Sequence, residues 1–259
     1  MEQQGNLWDL NNKMRFYGFF IWEVIMNEES KLAGSVDLKA LKKQAITRVS
    51  VVYFMMGLMF FLPAGTLNYW QGWAYLVTIA VPMIFFGIYL FKHNPKLLER
   101  RMRTKEKRKE QKLIIKLGIF PFLFAFLLPG FDKRFGWSDI PTGISILGIV
   151  MVLFGYLLTL YVFMTNHYAS RVVEVEKEQK VISNGPYALV RHPMYSSIII
   201  FYLFTPLALG SGWAIIPAAF ILPVLIFRIK DEEKELLENL EGYREYTQKV
   251  KFRLIPGIW

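Results

Sequence analysis

Residues 184–233 read NGPYALVRHPMYSSIIIFYLFTPLALGSGWAIIPAAFILPVLIFRIKDEE. Between two polar segments lies one apolar block, Tyr195 to Phe227, interrupted by Gly210-Ser211-Gly212. The block has 33 residues, too many for a single crossing of about 20. It reads as a helical hairpin that turns at Gly-Ser-Gly. Pro206, Pro217 and Pro223 lie inside it; membrane helices tolerate proline and kink there. A hairpin returns both its ends to one face of the bilayer, so the polar segments on either side become neighbours in space.

Working outward, four more apolar blocks are separated by dense charge: about Ala45–Leu67, Tyr69–Phe91, Leu113–Phe131 and Ile140–Met164. Tyr69, Trp70 and Trp73 open the second block, where an interfacial aromatic belt belongs. The expected fold is an all-α, polytopic integral membrane bundle of five or six transmembrane helices: six if the last hairpin crosses fully, five if it is partly re-entrant. Residues 1–44 precede the bundle. Met14–Met26 is apolar but short for a span and reads as an interfacial or packed segment, with Met26 an alternative initiator. Residues 36–48 form a basic amphipathic lead-in. Residues 45–131 hold the N-terminal helices, and residues 132–259 the part that carries the chemistry.

The 259-residue chain is 54% hydrophobic, with a mean hydropathy of +0.29 and a formal charge of +10. Residues 92–112 hold ten Lys or Arg against three Glu. Such runs collect on the cytoplasmic side, which places both termini in the cytoplasm. The run reads as a solvated loop whose cations attract anionic lipid head groups. No nucleic-acid motif accompanies the charge, so no nucleic-acid partner is expected. The absence of cysteine excludes disulfides, thiol catalysis and cysteine metal sites. His93, His167 and His192 have no metal-ligand spacing, and no metal is expected. The oligomeric state is unreadable.

Two polar segments flank the hairpin. In the first, Asn184-Gly185-Pro186 is a turn signal, and Arg191-His192-Pro193 leads into the membrane, with Pro suited to a first helical turn. In the second, Arg228 and Glu232 fall four residues apart, on one face of a continuous helix with Glu235 close by. Glu233 points about 140° away from Arg228. Each segment alone also fits a blander role: a membrane-anchoring arginine, a helix salt bridge. The tail, with Tyr243, Tyr246 and Arg253-Leu254-Ile255-Pro256-Gly257-Ile258-Trp259, fits simple packing on the bundle.

Together, NGPYxxVRHPxY, one hairpin, RxxxEE, YxxY and RLIPxIW resemble the isoprenylcysteine carboxyl methyltransferase family and its wider relatives, the membrane phospholipid methyltransferases. The resemblance covers about residues 140–259. It implies S-adenosylmethionine as methyl donor, S-adenosylhomocysteine as product, and a lipophilic acceptor that enters from the bilayer. A cytoplasmic-face site would form from the loop before the last hairpin and the helix after it. Carried over by position, Gln179, Lys180, Val181 and Ile182 line the cofactor with main-chain groups, and Tyr187 is the tyrosine of Gly-x-Tyr. Arg191, His192, Pro193, Met194 and Tyr195 meet the cofactor. Glu232 or Glu233 binds the donor's ammonium group, and Arg228 lies near the acceptor carboxylate, so Arg228 and Glu232 are the expected catalytic pair. Asp231-Glu232-Glu233 replaces a longer acidic run in some relatives, and the spacing before Tyr243 is one residue shorter, so no role carries over beyond Glu238. Two other readings compete: an NADPH-dependent membrane sterol or steroid reductase, which ends in a similar tyrosine pattern, and a non-enzymatic scaffold or small transporter.

Overall fold

The computed structural model describes residues 37–102, 109–168, 175 and 179–259. Residues 1–36, which include the apolar stretch Met14–Met26 and the first residue of the lead-in, and residues 103–108 of the basic run lie outside them. The described regular elements are helical: α1 (Leu38–Ala64), α2 (Trp70–His93), α3 (Pro95–Met102), α4 (Lys109–Phe135), α5 (Thr142–Thr165), α6 (Pro193–Ala208), α7 (Ile215–Ala219), α8 (Ile221–Asn239) and α9 (Tyr243–Lys249).

The lead-in is not separate from the first span. Asp37 caps α1, accepting from the N–H groups of Lys39 and Ala40 at 3.0 and 3.1 Å. Nothing interrupts the helix until Pro63, and Gly65 closes it in the left-handed conformation. Four helices (α1, α2, α4 and α5) are long and apolar enough to cross a membrane, and they leave side chains such as Phe54, Phe85, Phe120 and Phe154 exposed. In water such a surface is unfavourable; in lipid it is the solvent-facing side. The chain is an integral membrane protein.

The last hairpin turns at Gly210-Ser211-Gly212 as expected, but its arms are short. α6 has 16 residues, about 24 Å at 1.5 Å per residue. The returning arm is split into α7 and α8 at Phe220. Pro223 explains the break: it has no N–H to give to the carbonyl of Ala219 and its ring crowds that carbonyl.

The turn is pinned to the bundle end opposite the basic run. The buried Asp132 carboxylate accepts from the Ser138 N–H and hydroxyl, both at 2.7 Å, and from the Ser211 hydroxyl at 2.5 Å. The Tyr69 hydroxyl donates to the Leu209 carbonyl. α5 and α6 pack most extensively, because small residues let their backbones approach. A Cβ on Gly148 would fall on the backbone of Ala208, and one on Gly155 would press on Ser197 and Phe201. A hydroxyl pair, Thr159–Ser197 at 2.7 Å, bridges the same seam.

At the other end, the described residues of the expected loop 92–112 are largely helical, in α3 and the ends of α2 and α4. Leu97 and Leu98 of α3 are buried with Leu90, Val162 and Phe163, and Tyr187 and Met194 pack against that cluster. The apolar pair inside the charge run folds the segment back onto the bundle, which the run's net charge concealed.

Gly148→Val should lower stability by about 1–3 kcal/mol, the usual range for overpacking. Gly57→Ala and Gly87→Ala, where an added Cβ meets nothing within 4 Å, should be neutral or slightly stabilising, as Ala exceeds Gly in helix propensity by about 1 kcal/mol. Thermal unfolding in detergent measures both.

Candidate functional site

The site forms where three stretches meet: the segment 179–195, the polar half of α8, and α9. A 3-10 turn at Gly185–Ala188 follows Asn184, with Pro186 in its first positions. Gly185 takes φ +55° and lies against Thr165 and Tyr161, leaving no room for a side chain. His192 then caps α6 and Pro193 begins it, as the sequence suggested. On the other side, α8 is continuous from Ile221 to Asn239, so Arg228 and Glu232 do share a face.

Between these stretches lies a cavity with about 900 Å³ of empty space, its open mouth included. Gln179, Lys180, Val181 and Ile182 line one wall, and Tyr187, Arg191, His192, Met194 and Tyr195 another. Arg228, Glu232 and Glu235 come from α8. Of the sequence-predicted residues, Pro193 and Glu233 are not among those lining it. Lining residues that the sequence reading left out are Asn166 and Tyr168 after α5, Leu236 and Leu240 at the end of α8, and Tyr243 and Tyr246 on α9. The Tyr-x-x-Tyr spacing, which puts both rings on one side of a helical turn, was the available signal for the last pair.

Tyr195 ties the helix pair together. Its hydroxyl accepts from Arg228 Nε at 2.9 Å and donates to Glu232 Oε2. One wall of the cavity thus carries a guanidinium, a phenol and a carboxylate in a row. Elsewhere in the lining, the Tyr246 hydroxyl donates to the Tyr187 carbonyl at 2.7 Å, and the Asn166 amide donates to the Tyr187 hydroxyl at 2.9 Å. The Tyr243 hydroxyl is buried with no hydrogen-bond partner among the described residues. Burial first, then the negative charges of Glu233 and Glu232, push its phenol well above the usual range, so it remains a protonated donor at neutral pH.

The neighbouring acids differ sharply. Glu233 is 5% exposed and faces away from the cavity into a cluster of cations. Its Oε1 is 3.2 Å from both Arg191 Nε and His192 Nε2, and its Oε2 accepts from Arg253 Nε at 2.7 Å. Burial alone pushes the Glu233 carboxyl up. The hydrogen bonds from His192 and Arg253, with the nearby charge of Arg191, outweigh it and hold the group below its ordinary value.

Residues 144–244 match the phospholipid methyltransferase family. Two curated proteins, each a "probable protein-S-isoprenylcysteine O-methyltransferase", from Oryza sativa subsp. indica and subsp. japonica, are 30% identical over 112 residues. That match takes in 41% of this chain and 59% of the rice proteins, so the chain spans under two thirds of their length. The solved structure of the eukaryotic intramembrane Ras methyltransferase, isoprenylcysteine carboxyl methyltransferase, covers 93% of each chain at 17% identity and a TM-score of 0.47. The resemblance read in the motifs is therefore to these two kinds of membrane methyltransferase.

Because the Glu233 carboxyl is lowered in the folded protein, it contributes stability at neutral pH that is lost as pH falls through its folded value. Glu233→Gln should lower the unfolding temperature at pH 7, and the gap to wild type should narrow on acidification. Thermal unfolding across a pH series checks this.

Proposed function

We propose that this chain transfers a methyl group from S-adenosylmethionine to a lipophilic acceptor at the membrane–cytoplasm boundary, the carboxylate of a prenylated cysteine or a similar isoprenoid or lipid acid. The observation that carries the reading is one cavity that joins Glu232, Arg228 and a set of tyrosines beside an apolar groove open to the bilayer. The groove runs between α4 and the returning arm and is lined by Leu117, Phe120, Phe124, Phe220, Val224 and Phe227. Phe227 and Arg228 are successive residues, about 100° apart around α8. Lys230 and Asp231 of α8 are the charged residues lining the groove, within one helical turn of Arg228.

The residues suit the proposed donor. Its amino-acid head carries an ammonium group, which Glu232 can pair, and a carboxylate, for which the buried, unpartnered Tyr243 hydroxyl is a donor in waiting. Tyr187 and Tyr246 offer aromatic faces to an adenine or a sulfonium cation. When bound, the donor supplies an electrophilic methyl group. The acceptor carboxylate needs no general base, so the protein's work is to hold it in line and exclude water. Arg228 fits the first task, since a guanidinium fork can fix one carboxylate oxygen and leave the other free. Tyr195 keeps that fork in place from the α6 side. The basic run 92–112 lies at the same end of the bundle, which favours a cytoplasmic site with anionic lipid around it.

Calorimetry with S-adenosylhomocysteine on detergent-purified protein tests the donor. Wild type should bind in the micromolar range, about −8 kcal/mol, and Glu232→Ala should abolish the heat signal. Arg228→Lys should keep binding yet lose about 100-fold or more in methyl transfer to a prenylcysteine acid. A folded wild type that ignores S-adenosylhomocysteine but binds NADPH would replace this reading with the reductase one.

A further inference from the structure

The residues Arg253–Trp259 lie beyond the stretch that matches the phospholipid methyltransferase family, and none of them lines the cavity. They nevertheless clasp the segment that does. The Arg191 N–H donates to the Phe252 carbonyl and the His192 N–H to the Arg253 carbonyl, both at 2.9 Å. The Ser196 hydroxyl reaches the Leu254 carbonyl at 2.6 Å. The tail is itself closed on a turn at Gly257, φ +82°: the Trp259 carbonyl accepts from the N–H groups of Arg253, Leu254 and Ile255 at 2.9, 2.9 and 3.2 Å.

The side chains repeat the connection. The Arg253 guanidinium lies 5.2 Å over the Trp259 ring and gives its Nε–H to Glu233. Glu233 holds Arg191 and His192, both of which line the cavity. An ionised carboxylate only accepts, so the His192 Nε2 facing it carries the hydrogen. Nδ1 is then the ring nitrogen without the hydrogen in the neutral imidazole. Without Arg253, the second Glu233 oxygen would stand buried and unpaired, an arrangement that costs enough to force neighbouring cations to move.

We propose that Arg253 and Trp259 are positioning residues of the cavity: through Glu233 they fix the orientation and tautomer of His192 and the placement of Arg191 against the bound donor. The proposal rests on the methyltransferase reading for its ligand, and its structural half stands apart from that reading.

The test uses full-length protein with Arg253→Ala, Arg253→Lys and Trp259→Ala. Two measurements are made: S-adenosylhomocysteine affinity by calorimetry, and the imidazole 15N resonances of His192, assigned by comparison with His192→Gln. Wild type should show one Nε2–H tautomer. Arg253→Ala should give mixed tautomers and at least tenfold weaker binding. In turnover it should raise KM for the donor more than it lowers kcat. Arg253→Lys should restore part of both. If Arg253→Ala does not fold, Trp259→Ala carries the same thresholds. A folded variant with affinity within twofold of wild type and an unchanged His192 spectrum overturns the proposal. If wild type does not bind S-adenosylhomocysteine while the His192 spectrum still responds to Arg253, the donor reading fails and the positioning role stands.

Discussion

A carboxylate taken out of water must be met by cations or hydrogen-bond donors, because the cost of leaving it unpaired is several kcal/mol. Glu233 is such a group, and the way it is met organises the whole site end of the bundle. Its three partners come from two distant places in the chain, Arg191 and His192 before the hairpin and Arg253 after α9. The pairing holds one face of α8 against residues 191–192 and the tail, while Arg228 and Glu232, on another face, line the cavity.

The opposite end supplies the second fixed point. Asp132 ties the end of α4, the connection at Ser138 and the hairpin turn at Ser211 into one polar knot. With the turn held there and the clasp of the tail at the other end, the split at Phe220 is the one place where the returning arm has no continuous helical ladder. The cavity takes its α8 residues from the polar half of that helix, while the groove runs along α8 and across the split.

Much of this was legible in the residues. The hairpin followed from a 33-residue apolar block with Gly-Ser-Gly inside it, and the shared face of Arg228 and Glu232 from helical spacing. The choice between Glu232 and Glu233 was left open, because periodicity states direction and not burial, and only the distant Arg191 and Arg253 explain why a charged residue tolerates the buried side. The tail's clasp was invisible for a similar reason: Arg191 and Phe252 are some sixty residues apart, and backbone pairing leaves no mark on side-chain identity. Leu97 and Leu98 were hidden within a charge run whose average said loop. The shortness of the hairpin arms was masked by counting apolar letters across Pro223 without asking where the helix stops.

That shortness has a consequence for the lipid. An arm of about 24 Å stands beside four helices that match or exceed a hydrocarbon layer of about 30 Å. A membrane matched to the four long helices, with the hairpin turn at one surface, would leave the other end of α6, with Arg191, His192 and the mouth of the cavity, several ångströms short of the opposite surface. A bilayer accommodates such a mismatch by thinning locally. Such a dimple would bring the aqueous phase down to the mouth of the cavity. Lipids of different chain length would change its depth, and with it how far water and lipid reach that mouth.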